Sequence, residues 1–313
     1  MNLIICLTPL QMLIAEAIIK EKKLKNNILV VIAYNDNEKF RYYYERLGLV
    51  CDKSYFFLID NSSLWNRVKA MIQLKKFLSL FKKHNFSSCY LASIDCSYIQ
   101  LITSGIKYQK LYTFDDGTIN LITDSSYYKD KKYSFPEKVF RCLFGIRDTV
   151  SIYRQGSIRH YTIFKGDENI IDNTEFISLI NVKKRDNSPV SGAVKIFLGQ
   201  PLSEIKVEKQ LLLDFLNSEK INFYYPHPRE LEIFENVQYI RSEKIFEDFL
   251  IDYLERNQDK EILVYTFFST AILNIKDIDN VRVISCYTEQ IDPRFYNVYD
   301  LFQKMNISIK YIR

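Results

Sequence analysis

The feature that most constrains the fold of this chain is a repeated alternation of short apolar segments with amphipathic ones. Residues 3–6 have the apolar character of a strand, and the apolar residues that follow Thr8 and Pro9 have helical spacing. The alternation continues through most of the 313 residues. Further predicted strands are 28–34, 55–59, 89–92, 111–114, 194–198, 222–225, 262–265 and 281–285, and further predicted helices include 38–47, 64–83, 207–216 and 245–254. This pattern predicts an α/β fold with parallel sheets covered by helices.

A polar segment divides the pattern into two parts. Residues 182–192 combine lysine, arginine, aspartate, serine, proline and glycine, a composition typical of a linker between domains. We therefore predict two α/β domains, 1–182 and 193–313. A ligand is expected in a cleft where the carboxyl ends of the two sheets face each other.

Charge and hydropathy exclude several classes of protein. The net charge of +5 is too small a surplus for a dedicated nucleic-acid binder of this length. The longest apolar run, 28–34, is far shorter than the roughly 18 residues that a membrane span requires, and the N-terminus lacks the features of a signal peptide. The six cysteines are scattered without a CxxC pair, which favours reduced thiols in the core. These features predict a cytoplasmic protein.

The segment 225–230, Tyr-Pro-His-Pro-Arg-Glu, carries the most informative of the three histidines. Pro226 and Pro228 can continue neither a strand ladder nor a helix, so they hold His227 at the carboxyl edge of a strand. Arg229 can bind a phosphate or carboxylate in a bidentate manner, and His227 can donate a proton near neutral pH. The alternative is a surface loop in which Arg229 pairs with the acid that follows it.

Two predicted helix starts could bind a ligand. Ser269 and Thr270 follow a strand and open an apolar segment, where free amides and the helix dipole favour an anion. Ser269 could equally be an N-cap. Glu247 and Asp248 open another helix, where the dipole favours acids whatever their function. These two acids could also accept hydrogen bonds from a ribose or a base amine.

Asp115 and Asp116 stand directly after the strand 111–114, and Gly117 permits a tight turn close to a ligand. The two carboxylates could act as a base, hold a divalent ion or form an ordinary acidic turn. His160 is interpreted as a structural residue, and the lysines of 20–25 and 75–83 as solvated helix faces. The chain contains no P-loop, dinucleotide-binding, zinc-protease or nucleophile-elbow motif.

Taken together, the ordered segments FDDGT at 114–118, YPHPRE at 225–230 and YTFFST at 265–270 resemble the motifs of bacterial sialyltransferases of glycosyltransferase family 52. The resemblance extends to 2–11, 160–166 and 198–201, and is strongest to the lipooligosaccharide sialyltransferases. It implies a GT-B fold, with an acceptor-side Rossmann-like domain over 1–182 and a CMP-sugar-binding Rossmann-like domain over 193–313. It also implies inverting transfer of sialic acid from CMP-sialic acid to a galactose-ended glycan of lipooligosaccharide or capsule, usually in α-2,3 linkage and without a metal or cofactor.

The resemblance also implies roles for individual residues. His227 would act on the leaving phosphate as general acid. The other positions predicted to contact substrate are Gly199, Gln200, Pro201, Pro228, Arg229, Glu230, Leu231, Glu247, Asp248, Ser269 and Thr270. Lipid-linked acceptors and lysine-rich helix ends predict peripheral association with the inner face of the cytoplasmic membrane, and the dimers formed by relatives imply a homodimer.

The catalytic base is the point at which the sequence departs from the family. The lipooligosaccharide enzymes place an aspartate directly after a Gly-x-Pro turn, where this chain has Leu202. Glu204, the nearest carboxylate, is the first candidate, and Glu208 is an alternative if the loop folds differently. Related sialyltransferase families use the acidic pair instead, so Asp116 competes with Glu204, and Asp115 competes less strongly.

Two other hypotheses stay open at this point. A metal-dependent transferase acting on another sugar nucleotide would use Asp115 and Asp116 to hold the metal and would lose activity in EDTA. The other hypothesis is a non-catalytic glycan-binding or assembly protein. It would explain why Leu202 replaces the catalytic aspartate of the family, but such a protein is not expected to bind CMP.

Overall fold

The computed structural model describes residues 1–166, 168–179, 192–227, 229–235 and 237–313. They form two compact units, Met1–Leu179 and the described residues of Ile180–Arg313. The predicted linker lies outside the described residues except for Gly192, so the exact limits of the two domains stay a prediction.

The first unit is built on a parallel sheet. Its strands in the described residues are β1 (Asn2–Cys6), β2 (Asn27–Ala33), β3 (Lys53–Leu58), β4 (Asn85–Leu91), β5 (Lys107–Phe114), β6 (Ser157–Thr162) and β7 (Thr174–Phe176). Its helices are α1 (Pro9–Lys22), α2 (Glu38–Gly48), α3 (Leu64–Leu78), α4 (Ser97–Gly105), α5 (Phe135–Phe144) and α6 (Val150–Gly156). The strand order is β3-β2-β1-β4-β5-β6-β7, with every neighbouring pair parallel.

Local sequence explains the first strand and helix. β1 and β2 are buried along their whole length, as expected for central strands of a parallel sheet with both faces covered. Helix α1 begins where the Thr8 hydroxyl accepts a hydrogen bond of 3.2 Å from the Gln11 backbone N–H. Pro9 takes the first helical position, where its missing N–H costs nothing. The predicted strand-to-helix transition at Thr8 and Pro9 is confirmed.

The second unit repeats this architecture. Its strands in the described residues are β8 (Gly192–Leu198), β9 (Phe223–Tyr225), β10 (Gln238–Tyr239), β11 (Lys260–Thr266), β12 (Val281–Tyr287) and β13 (Ser308–Tyr311). Its helices are α7 (Leu202–Ile205), α8 (Lys209–Ser218), α9 (Phe246–Arg256), α10 (Ala271–Ile275) and α11 (Tyr296–Lys304). The strand order is β10-β9-β8-β11-β12-β13, again all parallel.

Both sheets reverse their strand order beside the first strand of the unit. β1 lies between β2 and β4, and β8 lies between β9 and β11. In open α/β sheets, ligands bind beyond the carboxyl ends of the strands at such a reversal. The predicted α/β class is confirmed in both units, and the topology indicates where each unit would hold a ligand.

The cysteines are free thiols in the described structure. Cys6, Cys89 and Cys286 are buried, and burial raises the pKa of each thiol. Cys142 is exposed on α5, so the prediction of a core position is wrong for this residue. Among the residues described, no helix has the length and apolar character of a membrane span.

Candidate functional site

The loops that follow β8, β9 and β11 form one edge of the second sheet. The Gly199 N–H donates a hydrogen bond of 2.8 Å to the Tyr225 carbonyl, which joins the ends of β8 and β9. The buried Gln200 side chain joins the ends of β8 and β11, because its Oε1 accepts a hydrogen bond of 2.9 Å from the Phe268 N–H. Since these strands are parallel neighbours, the structure brings Gly199, Gln200 and His227 to the edge that also carries Ser269.

The His227 ring is half-buried and accepts a hydrogen bond from the turn that carries it. Its Nδ1 accepts a hydrogen bond of 3.1 Å from the Arg229 N–H. A neutral imidazole that accepts at Nδ1 carries its proton on Nε2. The turn after β9 therefore selects the tautomer in which Nε2 can donate to a ligand. Pro228, the second proline of the motif, lies outside the described residues.

Glu230 braces the turn that carries His227. Its Oε2 accepts a hydrogen bond of 3.1 Å from the His227 N–H, and its Oε1 accepts one from the Tyr224 hydroxyl. A Cβ atom at position 199 would collide with both the Glu230 carboxylate and the Tyr224 hydroxyl, which explains the glycine. Glu230 was predicted to contact substrate, but both of its carboxylate oxygens accept hydrogen bonds from this turn.

This environment makes the stability of the protein depend on pH. Burial raises the pKa of Glu230 to about 7 from an ordinary value of 4.5, with the negative charge of Glu232 adding to the effect and the bonds from Tyr224 and His227 opposing it. A carboxyl whose pKa is higher in the folded state than in the unfolded state stabilises the fold fully at pH values below its ordinary pKa of 4.5. That contribution is lost as the pH rises through about 7. We expect the melting temperature to fall between pH 5 and pH 8 by more in the parent than in Glu230→Gln, as measured by thermal scans at several pH values. Equal slopes for the two proteins would contradict this account.

Glu204, the first candidate for the base, lies close to Arg229. Its Oε1 is 2.8 Å from Arg229 Nη1, and the side chains of Arg229 and Glu204 are 66% and 43% exposed. An exposed ion pair contributes only about 0 to 1 kcal/mol, so a phosphate could replace the carboxylate as the partner of Arg229. The loop expected around Glu204 is the single-turn helix α7, in which Leu202 is buried in the core. Glu208 lies at the N-cap of α8, where its N–H donates a hydrogen bond of 2.9 Å to Gln290 Oε1.

Glu247 and Asp248 are buried in the first turn of α9. Glu247 Oε1 accepts a hydrogen bond of 2.7 Å from Asn274 Nδ2, which connects this turn to α10. Phe246, which precedes them in α9, packs on Tyr225 at the end of β9 with ring centroids 5.2 Å apart, so this turn lies near the end of β9. The structure therefore brings the two predicted nucleoside-binding acids to the same strand end that carries His227.

Ser269 and Thr270 lie in the turn between β11 and α10 and are half-buried. Thr270, not Ser269, is the N-cap of α10, and it makes no capping bond through its side chain. Within the part of the chain that the structure describes, neither hydroxyl donates or accepts a hydrogen bond. Both hydroxyls can therefore serve a ligand. Of the remaining predicted positions, Pro201 is buried and Leu231 is 89% exposed.

The acidic pair of the first unit separates into two environments. Asp115 has no exposed surface and accepts hydrogen bonds from His160 Nε2, Thr162 Oγ1 and the Ile163 N–H, each at 2.7 Å, and from Asn169 Nδ2 at 3.0 Å. These bonds join the end of β5 to β6 and the loop that follows it. This agrees with the interpretation of His160 as structural, and it gives Asp115 the surroundings of a structural carboxylate.

Asp116 is half-buried and is held by three neutral donors. Gln11 Nε2 lies 2.5 Å from its Oδ1, and its Oδ2 accepts hydrogen bonds from the Ser93 hydroxyl at 2.6 Å and the Tyr127 hydroxyl at 2.5 Å. Its N–H donates a bond of 2.7 Å to Asn120 Oδ1, which fixes the turn. Among the described residues the Asp116 carboxylate forms no ion pair with a cationic side chain, in contrast to Glu204.

A cavity of about 440 Å³ opens beside Asp116 in the first unit. It lies at the carboxyl ends of β1, β2 and β4, and Ser93, which donates to Asp116, is part of its wall. Its lining combines aromatic and charged side chains, namely Tyr34, Tyr98, Tyr133, Phe140, Arg67, Asp95, Lys131, Glu137 and Arg141. Aromatic faces with a few polar groups suit a sugar ring. The sequence does not predict this cavity, because its residues come from separate segments with no motif.

Comparison with known proteins gives a consistent result. A family model described as glycosyltransferase family 52 matches residues 25–289. The chain is 35% identical to the CMP-N-acetylneuraminate:beta-galactoside alpha-2,3-sialyltransferase of Pasteurella multocida, with 100% of both chains covered. It is 31% identical to the N-acetyllactosaminide alpha-2,3-sialyltransferase of Haemophilus influenzae, with 99% of both covered.

A solved structure of low sequence identity extends this result to the fold. The GT-B domain of a sialyltransferase from Photobacterium damselae is similar with a TM-score of 0.57 at 11% identity, covering 99% of this chain and 100% of that one. At this identity the similarity concerns the fold alone, and it confirms the predicted GT-B fold.

Proposed function

Because the chain belongs to glycosyltransferase family 52, we propose that it is an inverting sialyltransferase that moves sialic acid from CMP-sialic acid to a terminal galactose, in α-2,3 linkage. The observation that carries the proposal is the edge of the second sheet, which carries Arg229, Ser269 and Thr270 together with a His227 ring that accepts a hydrogen bond at Nδ1 and therefore has its proton on Nε2. Incubation with CMP-sialic acid and a panel of galactosides, followed by mass and linkage analysis, tests it directly. The proposal is wrong if no galactoside gains the mass of a sialic acid residue, or if the new linkage is not α-2,3.

The second unit would bind the donor through its phosphate and its nucleoside. The phosphate would accept hydrogen bonds from Arg229, Ser269 and Thr270, and Glu247 with Asp248 would accept bonds from the ribose or the cytosine amine. As the bond from sialic acid C2 to the phosphate oxygen breaks, His227 Nε2 would give its proton to the departing CMP. Charge on the leaving group would thus be neutralised by groups that are already in place.

The first unit would bind the acceptor in the cavity beside Asp116. The aromatic side chains of Tyr34, Tyr98 and Tyr133 would stack on the sugar rings, and the carboxylate of Asp116 would withdraw the proton of the attacking hydroxyl. We favour Asp116 over Glu204 because Asp116 has neutral donors, one of which, Ser93, lines the cavity, whereas Glu204 is paired with Arg229. Asp115 and Glu208 are weaker candidates: Asp115 is enclosed, and Glu208 lies at the N-cap of α8 in the second unit.

The proposed location is the inner face of the cytoplasmic membrane, with the protein attached peripherally and acting on lipooligosaccharide or capsule precursors. CMP-sialic acid is the soluble substrate in this scheme, and the lipid-linked glycan is the membrane-bound one. We also propose that the protein acts as a homodimer, which sedimentation at micromolar concentration would test.

Transfer should not depend on a metal ion. Asp115 and Asp116 take different sets of partners, and the cationic and hydroxyl groups near His227 can stabilise the charge of a monophosphate leaving group in place of a cation. We expect full activity after exhaustive treatment with EDTA, and no stimulation when Mg²⁺ or Mn²⁺ is returned. A strict requirement for either ion would instead support the hypothesis of a metal-dependent transferase.

A further inference from the structure

The side of α3 that faces away from the core carries a row of alternating apolar and basic residues. Trp65, Lys69, Ile72 and Lys76 are spaced by four, three and four residues, which places them on one side of the helix. Leu80 continues the row in the short turn after the helix. All five side chains are exposed, including 75% of Trp65, 44% of Ile72 and 60% of Leu80. The side of a helix that faces only water normally carries polar and charged residues, so these large apolar groups indicate a contact surface.

The chain segment that carries this row is basic, although Asn66 near the start of α3 donates a hydrogen bond of 2.7 Å to the Asp60 carboxylate. Residues 61–94 contain six basic residues and no acidic residue. A row of apolar side chains within an acid-free, basic segment matches the surface of an anionic bilayer, where apolar groups enter the headgroup region and lysines bind the lipid charge. A second copy of the same face would bring these positive charges against one another.

The neighbouring helix α5 extends the apolar surface. Phe135, Val139 and Leu143 share one side of α5 and are 79%, 42% and 72% exposed. Lys75 of α3 donates a hydrogen bond of 3.2 Å to the Leu143 carbonyl, so the two helices are in direct contact. The exposed apolar residues of both helices therefore belong to one part of the first unit.

The same two helices reach the cavity beside Asp116. Arg67 of α3 and Phe140 of α5 both line it. We propose that the face formed by Trp65, Lys69, Ile72, Lys76 and Leu80, here called the α3 face, docks the protein on an anionic membrane surface. The inference rests on the proposed function, because docking through the α3 face would bring the cavity close to a lipid-linked acceptor.

The chain supplies its own reporter, since Trp65 is its single tryptophan. Titration of the full-length protein with vesicles of phosphatidylcholine and phosphatidylglycerol should move the tryptophan emission to shorter wavelength, while vesicles of phosphatidylcholine alone should have little effect. Lipids brominated in the acyl chain should quench the emission. The anionic-vesicle response should weaken with added salt, because salt screens the lysines.

Matched variants separate the charged from the apolar contribution. Lys69→Gln combined with Lys76→Gln should weaken vesicle binding about 30-fold at low salt, since each basic residue near the surface is worth roughly a factor of five. Ile72→Ser combined with Leu80→Ser should abolish the quenching by brominated lipid. Leu49→Ser is the control, because Leu49 is 88% exposed and lies outside the α3 face.

The outcomes distinguish the docking face from the proposed activity. All α3 variants should transfer sialic acid to a soluble galactoside at the parental rate, because none of them touches the site. The proposal is overturned if brominated lipid leaves the emission of the parent unchanged, if the double variants bind vesicles like the parent, or if the emission shifts with protein concentration in the absence of lipid. A parent protein that docks through α3 but transfers no sialic acid would refute the activity and leave the docking face standing.

Discussion

Replacement of His227 by alanine should lower the turnover of sialic acid transfer by about 100- to 10,000-fold, the usual contribution of a general acid. The ring lies half-exposed after β9, with Nδ1 bonded to the Arg229 N–H at 3.1 Å, so Nε2 is the nitrogen that can donate. The fold should persist, because Glu230 holds this turn through the backbone of residue 227 and not through its side chain. Turnover with CMP-sialic acid and a galactoside would be compared with circular dichroism of the same samples.

Two substitutions at the same position test the chemistry more sharply. His227→Gln places an amide N–H near the position of Nε2, so it can donate a hydrogen bond but cannot transfer a proton. His227→Asn places its amide near Nδ1 and offers nothing at Nε2. Equal losses in both would indicate that proton transfer is essential, whereas partial activity in His227→Gln alone would indicate that hydrogen bonding suffices. His84→Ala, which removes an exposed imidazole elsewhere, is the control, and a turnover of His227→Ala within a few-fold of the parent would refute the assignment.

The hydrophobic pattern predicted the long elements of the fold better than the short ones. Buried strands such as β2 and β11 produce apolar runs that stand out from their surroundings. β7 and β10 contain three and two residues, too few to produce a periodic signal, and neither was predicted. The helix predicted for 64–83 ends at Leu78, where the Ser79 hydroxyl donates a hydrogen bond of 2.6 Å to the Lys76 carbonyl. Such local bonding competes with helix propagation in a way that spacing alone cannot reveal.

The candidate site was predictable where it depends on strand ends and not where it depends on long-range contacts. The motif around His227 and the pair Ser269 and Thr270 follow strands directly, so their common edge follows from parallel topology. The surroundings of Asp116 assemble Gln11, Ser93 and a tyrosine from widely separated segments, and no spacing rule connects them. The resemblance of motifs indicated which residues matter, but only the structure separates the enclosed Asp115 from its neighbour.

The second large effect is expected at Asp116. Asp116→Asn keeps the shape of the side chain but removes the charge that would accept the proton of the acceptor hydroxyl, so turnover should fall by about 100- to 10,000-fold. Binding of CMP, measured by calorimetry, should be unchanged, because the proposed donor site lies in the second unit. Glu204→Gln and Glu208→Gln should each change turnover by no more than a few-fold.

Asp115→Asn serves as the structural counterpart, because it makes the same chemical change one residue away. Its carboxylate accepts four hydrogen bonds in a site with no exposed surface, so the substitution should lower the free energy of unfolding by about 3 kcal/mol, measured by urea denaturation. Asp116→Asn should be far less destabilising, since Asp116 is only half-buried. If Glu204→Gln abolishes transfer while Asp116→Asn retains the parental rate, the base belongs to the second unit. Asp116 would then have only the role that its three donors imply, which is to connect α1 to the segments that follow β4 and β5.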